Sequence, residues 1–166
     1  HSGRFQTDHD FHAIAIPQIG PGKGARFESH ARDTGRMRVT GRIEDAYAFR
    51  TPTLRNIEHT APYGHSGAYA TLEGIVRHHL NPVESLENYD PTQIVMPGFE
   101  ADDLRIISDP VELDLIAAAN SLMPVDLSDN QVADIIMFLK ALTDPQSVRG
   151  ALGIPQIIPS GLPVAR

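Results

Sequence analysis

The sequence predicts a mainly helical fold tied together by long ordered loops. Three observations carry this expectation. Ser128 stands three residues before Gln131 at the head of an apolar stripe, the pattern of a helix capping box. Thr71 stands before a second stripe made of Leu72, Ile75, Val76, His79 and Leu80, spaced as one face of a helix. Proline and glycine each occur 13 times in 166 residues, so much of the chain is punctuated loop. No strand-rich region and no internal repeat stands out.

Taken in order, residues 1–26 read as loop, broken by Pro17 and Gly20-Pro21-Gly22. Residues 27–48 mix charges around Gly35 and Gly41, with a short helix expected near Ile43–Tyr47. Residues 49–70 hold Pro52 and Pro62 and read as an ordered loop with one helical turn after Pro52. The helix after Thr71 is expected to stop near Asn81-Pro82. His79 lies within its stripe, whereas His78 is rotated by about 100° and points off it. Residues 83–108 read as a long polar connection with Pro91 and Pro97-Gly98, followed by a helix over Val111–Leu122. The last helix buries Val132, Ile135, Ile136, Leu139 and Leu142 and ends before Asp144-Pro145. Residues 1–145 are expected to form one domain. Residues 146–166, with Pro155, Pro159 and Pro163, are expected to be an extended tail over its surface.

Composition excludes several classes. Hydrophobic residues at 41% and charged residues at 21% are those of an ordinary globular domain. A net charge of -7 argues against nucleic acid or an anionic membrane as partner, and leaves room for a basic protein. No run of 18 apolar residues is present to span a bilayer. No signal peptide is visible, but the start looks internal. There is no cysteine, hence no disulfide, no thiolate metal site and no complete C-x-x-C-H motif.

Eight histidines and no tryptophan is the unusual balance. A buried imidazole without partners loses roughly 1–3 kcal/mol of desolvation energy, so His79 on an inward face needs an explanation. It reads either as an axial metal ligand or as a core histidine bonded to a loop carbonyl. His65, in Tyr63-Gly64-His65-Ser66-Gly67, reads either as a turn residue or as lining for a flat group that approaches the glycine backbone. His9, Asp10 and His12 hold two imidazoles and a carboxylate close together, a set suited to a first-row metal or to a polar loop. Gly20-Pro21-Gly22-Lys23-Gly24 lacks the strand and helix that a phosphate loop needs. Ser66 beside His65 has no placed acid partner, which argues against a hydrolase triad.

At this point the chain resembles the C-terminal haem domain of bacterial di-haem cytochrome c peroxidases and their MauG-like relatives. The start, HSGRFQTDHDFHAIAIPQIGPG, looks like the segment after that family's second C-x-x-C, with His1 as the histidine of C-x-x-C-H. The block AFRTPTLRNIEHTAPYGHSGAYATLE is the most specific match. LSDNQVADIIMFLKALTD is similar to the closing helix, and PSGLPV in the tail is a weaker echo.

The resemblance implies a c-type cytochrome-like helical domain holding haem c through cysteines upstream of this chain. It places His1 as proximal iron ligand and His79, fourteen residues after His65, at the distal position. That position is commonly Met in the peroxidases and Tyr in the MauG-like relatives, so histidine here is a departure. It further implies a calcium site on the backbone carbonyls of Thr60 and Pro62, completed from elsewhere because calcium takes six to eight oxygens. Arg50 and Arg55 would meet haem propionates or brace the loop. Phe5, Phe11, Pro17 and Tyr63 would wall the haem, with His65 beside it.

Functionally, the expectation is an electron relay. Two imidazoles on one iron leave no open coordination site, and replacing a thioether by imidazole lowers the reduction potential. The relay would serve a second, peroxide-cleaving or substrate-oxidising haem in an N-terminal domain. The outside partner would be a small redox protein (a cytochrome or cupredoxin) or a protein substrate, in the periplasm. Two other readings stand beside it. One is a haem-free remnant kept as a structural or interaction subunit. The other is a non-haem metal enzyme built on His9, Asp10 and His12.

Overall fold

The last helix shows most directly how this sequence sets its fold. In the structure, a computed structural model describing residues 1–20, 22, 30–95, 104–150 and 159–161, Ser128 Oγ accepts from the backbone N–H of Gln131. The Gln131 side chain in turn accepts from the Ser128 N–H at 2.9 Å. This reciprocal cap satisfies two donors that a helix start otherwise leaves open. The helix runs Asp129–Ala141 and turns Val132 and Leu139 into the core.

The elements before it follow in chain order. Two short strands, β1 (Phe11–His12) and β2 (Phe49–Arg50), pair antiparallel, with Phe11 opposite Arg50 and His12 opposite Phe49. The helices are α1 (Met37–Thr40), α2 (Leu72–Leu80), α3 (Pro82–Glu87), α4 (Pro110–Ala118), the capped α5 (Asp129–Ala141) and α6 (Pro145–Val148). Single 3-10 turns lie at Ile43–Asp45, Ile57–His59 and Pro91–Gln93. The fold is mainly helical, as the sequence predicts.

Three local outcomes differ from the expectation. Residues 83–108 are not simply a connection, because α3 starts one residue after Asn81 with Pro82 in its first turn. Proline is well placed there: its fixed φ suits the first turn, and its missing N–H would be unsatisfied anyway. The Asn81-Pro82 pair therefore ends one helix and begins the next. The helix expected over Val111–Leu122 stops at Ala118, where the Asn120 side chain turns the chain by donating to Leu122 O at 2.8 Å. The short helix expected near Ile43–Tyr47 is one 3-10 turn. Pro97-Gly98 and most of the tail lie outside the described residues.

The segment Ala13-Ile14-Ala15-Ile16 forms the wall between two core clusters. Ala13 and Ala15 join Tyr47, Leu86, Ile106 and Ile116 on one side. Ile14 and Ile16 join Tyr63, Tyr69, Leu72 and Leu139 on the other. The four side chains alternate between the two clusters although Ala15 adopts a left-handed φ of +49° and the segment is not a regular strand. The first side is tied by a bidentate ion pair, Arg32 Nη1 donating to both Glu112 oxygens at 3.0 Å. On the second side α2 packs against α5 and α3.

Backbone approach is close at Gly35. Its φ is +60°, and a Cβ there would sit 2.5 Å from the Ala48 carbonyl oxygen. Only glycine fits this contact without displacing the neighbouring strand.

Candidate haem-ligand site

α2 carries two consecutive histidines whose environments are opposite. His78 is fully buried at 0% exposure, and His79 is half-buried. This corrects the helical-face expectation, in which His79 lay on the inward stripe and His78 off it. The helix is covered on more than one side. Ile75 and Val76 pack into the cluster shared with Leu139, while His78 turns toward Ile14 and Tyr69. A single-stripe count cannot register a helix buried over so wide an arc.

The tautomer of His78 follows from its partners. Nε2 lies 2.7 Å from the Ile14 carbonyl oxygen, which can only accept, so Nε2 carries the proton. Burial pushes the ring's pKa down to about 4, partly countered by the Ile14 carbonyl, so the ring is neutral and Nδ1 is bare. Nδ1 therefore accepts from the Tyr69 hydroxyl at 2.8 Å. With its one proton committed, the Tyr69 oxygen receives the Ser85 hydroxyl at 2.9 Å. Burial pushes Tyr69 up to about 12, partly offset by Ser85. The network is closed, and His78 has no nitrogen left for a metal.

His79 differs. Its Nδ1–H donates to the Ile75 carbonyl at 2.8 Å, one turn back in its own helix. Its Nε2 has no partner among the described residues. His1 shows the same pattern on an exposed surface, Nδ1–H donating to Gln6 O at 3.3 Å. An imidazole with Nδ1–H on a backbone carbonyl presents its Nε2 lone pair, the form in which histidine binds metals.

The remaining candidates fall into groups. Near His1, Phe5 is 55% exposed, with the Arg4 and Arg55 guanidinium carbons 6.0 and 5.5 Å from its ring centre. Arg55 donates to Arg4 O at 2.9 Å, and Arg50 Nη2 lies 2.7 Å from His9 Nδ1. Neither Arg50 nor Arg55 meets a carboxylate among the described residues. Arg4, Arg55, Asn56 and Ser147 line a cleft of about 450 Å³.

A second group lies at the wall segment. Pro17 is buried and its carbonyl accepts from Ser66 Oγ at 3.0 Å. Tyr63 is buried, its hydroxyl donating to Ile57 O at 2.8 Å. Phe11 is half-buried beneath the Arg36 guanidinium at 4.3 Å. His65 stacks on Phe49 with ring centres 3.6 Å apart, and its Nε2 meets Asp33 Oδ2 at 2.8 Å. Sequence reasoning gave no role to Phe49 or Asp33 in this stack, because both depend on a contact across the chain that no local pattern encodes.

Two metal readings lack support in the geometry. His9, Asp10 and His12 do not converge. His12 Nε2 contacts Asp8 at 2.9 Å, the Asp10 carboxylate accepts the Phe11 N–H at 2.8 Å, and His9 faces the Arg50 cation. Among the described residues no group of three His, Cys, Asp or Glu could hold a metal ion. Thr60 and Pro62 are exposed, and two carbonyls fall well short of a calcium shell. The described residues therefore do not by themselves fit calcium.

No family model matches the chain. It is 52% identical over 50 residues to cytochrome c551 peroxidase of Nitrosomonas europaea, covering 30% of this chain and 15% of that protein. It is 31% identical over 122 residues to methylamine utilization protein MauG of Methylophilus methylotrophus, covering 74% of this chain and 30% of that protein. A solved structure of a MauG-like protein associated with microbial copper homeostasis superposes with a TM-score of 0.51 at 30% identity. That match covers 82% of this chain and 35% of the other.

The class is thus a cytochrome c-like helical domain of peroxidase-type oxidoreductases. The chain belongs to the MauG-like di-haem peroxidase family and matches its C-terminal region. It spans a third or less of the length of the two curated relatives just named.

Proposed function

We propose that this chain is an electron-relay haem domain of a di-haem peroxidase or MauG-like oxidase. His1 would bind the iron on one side and His79 on the other. The observation that supports this most is the matched state of the two rings, each with Nδ1–H on a backbone carbonyl and, among the described residues, Nε2 without a partner. A haem c bound there would supply a one-electron couple, attached through cysteines that this chain does not contain.

The chain's own residues have defined tasks in this reading. His1 and His79 would hold the iron, and two imidazoles in place of an imidazole and a thioether would keep its potential low. Arg50 and Arg55, without carboxylate partners among the described residues, would receive the propionates, since guanidinium suits carboxylate geometry. Phe5, Phe11, Pro17, Tyr63 and His65 would line the approach.

The second haem would sit in an N-terminal domain of the same protein. The outside partner would be a small redox protein or a protein substrate, and the compartment periplasmic. No described helix is long and apolar enough to cross a membrane.

A second reading is a haem-free remnant of the same fold retained for its surface. Haem stain and iron counting on the full-length protein separate the two. One covalent haem for this domain supports the relay, and none supports the remnant.

A further inference from the structure

The buried network at His78 has a consequence for its neighbour, one that rests on His79 being an iron ligand. We infer that His78 is the positioning residue for His79: its two hydrogen bonds fix the rotation of α2 and so the direction in which His79 presents Nε2.

The reasoning starts from what can orient a nine-residue helix. The buried residues of α2 are Leu72 and, most deeply, His78. Leu72 contributes apolar contact, which is non-directional and tolerates small rotations. Hydrogen bonds weaken steeply once they bend, so His78 does not tolerate them. Nε2–H is held by Ile14 O in the wall segment. Nδ1 is held by Tyr69, which Ser85 of α3 holds in turn. The helix is thereby referenced to three other parts of the chain.

His79 cannot do this for itself. Its bond runs to Ile75 in the same helix, so it turns with the helix and fixes only the ring relative to α2. The direction of Nε2 relative to the rest of the domain is therefore set one residue earlier. Turning α2 by one residue step, about 100°, would break both His78 bonds and move His79 to another face. An apolar residue at position 78 would fill the space and leave α2 with only the exposed Arg77–Asp129 pair and the Val125 N–H bond to Leu80 O at its end as directional ties to other segments.

The test uses the full-length, haem-loaded protein and low-temperature EPR, with circular dichroism to confirm folding. His78→Leu is expected to replace the single bis-imidazole low-spin signal by several low-spin forms or a high-spin one. His78→Gln keeps an N–H for Ile14 O and is expected to restore the single signal. Tyr69→Phe removes only the Nδ1 partner and is expected to shift or broaden the signal. A folded His78→Leu protein with the wild-type signal overturns the inference. If His78→Leu does not fold, Tyr69→Phe decides: a shifted signal supports the inference and an unchanged one overturns it. A wild-type protein without any bis-imidazole signal overturns the ligand reading itself, and this inference with it.

Discussion

His78 and His79 are adjacent in one helical turn and differ in how the protein engages them. Both nitrogens of His78 are held by Ile14 and Tyr69, whereas among the described residues His79 commits only Nδ1, to Ile75. One histidine is a sealed part of the core and the other has an Nε2 that no described residue engages. The candidate site depends on that difference.

The first consequence is a pH dependence of stability. Burial holds His78 near pKa 4 in the folded chain, against 6.5 unfolded. Between these values the unfolded chain binds more protons, so stability falls as pH falls. The stabilisation is fully present above about 6.5 and is lost as pH drops through about 4. By pH 5 roughly 2 kcal/mol of it should be gone. Urea unfolding at pH 7 and pH 5 measures this. His78→Gln should flatten the difference by about that amount, and an undiminished difference would mean other groups carry it.

Asn56 joins the central loop to the end of α5 and to α6. It adopts φ +57°, donates to Ser147 Oγ at 2.7 Å and accepts the Asp144 N–H at 2.7 Å. Asn56→Ala loses both bonds and a left-handed conformation that asparagine tolerates. The expected cost is about 2–3 kcal/mol. Asn56→Gly restores the backbone freedom alone and should recover part of it. Thermal denaturation of the two variants checks the order; equal losses would assign the whole effect to the bonds.

Gly35→Ala tests backbone approach. The new Cβ would lie 2.5 Å from Ala48 O at a φ of +60°. Both the contact and the conformation are unfavourable, so a loss of about 3 kcal/mol or more is expected. A urea midpoint within error of wild type would show that the Gly35–Ala48 approach is slack.

The α5 cap offers a milder comparison. Ser128→Ala should cost about 1 kcal/mol, since one helix-start donor loses its acceptor. A loss as large as that for Gly35→Ala would mean that the cap organises more than its own helix.

What the sequence disclosed was local. The α5 cap, the Thr71 cap and the end of α2 at Leu80 were legible, because each depends on residues within a few positions. The mainly helical class was legible for the same reason. α3 was not, because Pro82 reads as a stop when it follows a helix and as a start when it begins one. The inward face of α2 was misread, because periodicity assumes one neighbour and this helix has several. The His65–Phe49 stack and the Arg32–Glu112 pair join residues 16 and 80 positions apart, a range that local patterns do not reach. At the candidate site, the family position selects His79; the expected stripe does pack through Leu72, Ile75 and Val76, but the structure buries His78 more deeply than His79. The bonding of the two rings supports the same choice on different grounds.

The most direct measurement is the optical and low-temperature EPR spectrum of the full-length protein before and after His79→Gly. If His79 binds iron, the wild type carries a covalent haem with a bis-imidazole low-spin signal. The variant then loses that signal and becomes high-spin. A low-spin signal that survives His79→Gly unchanged would contradict the assignment and place the distal ligand elsewhere.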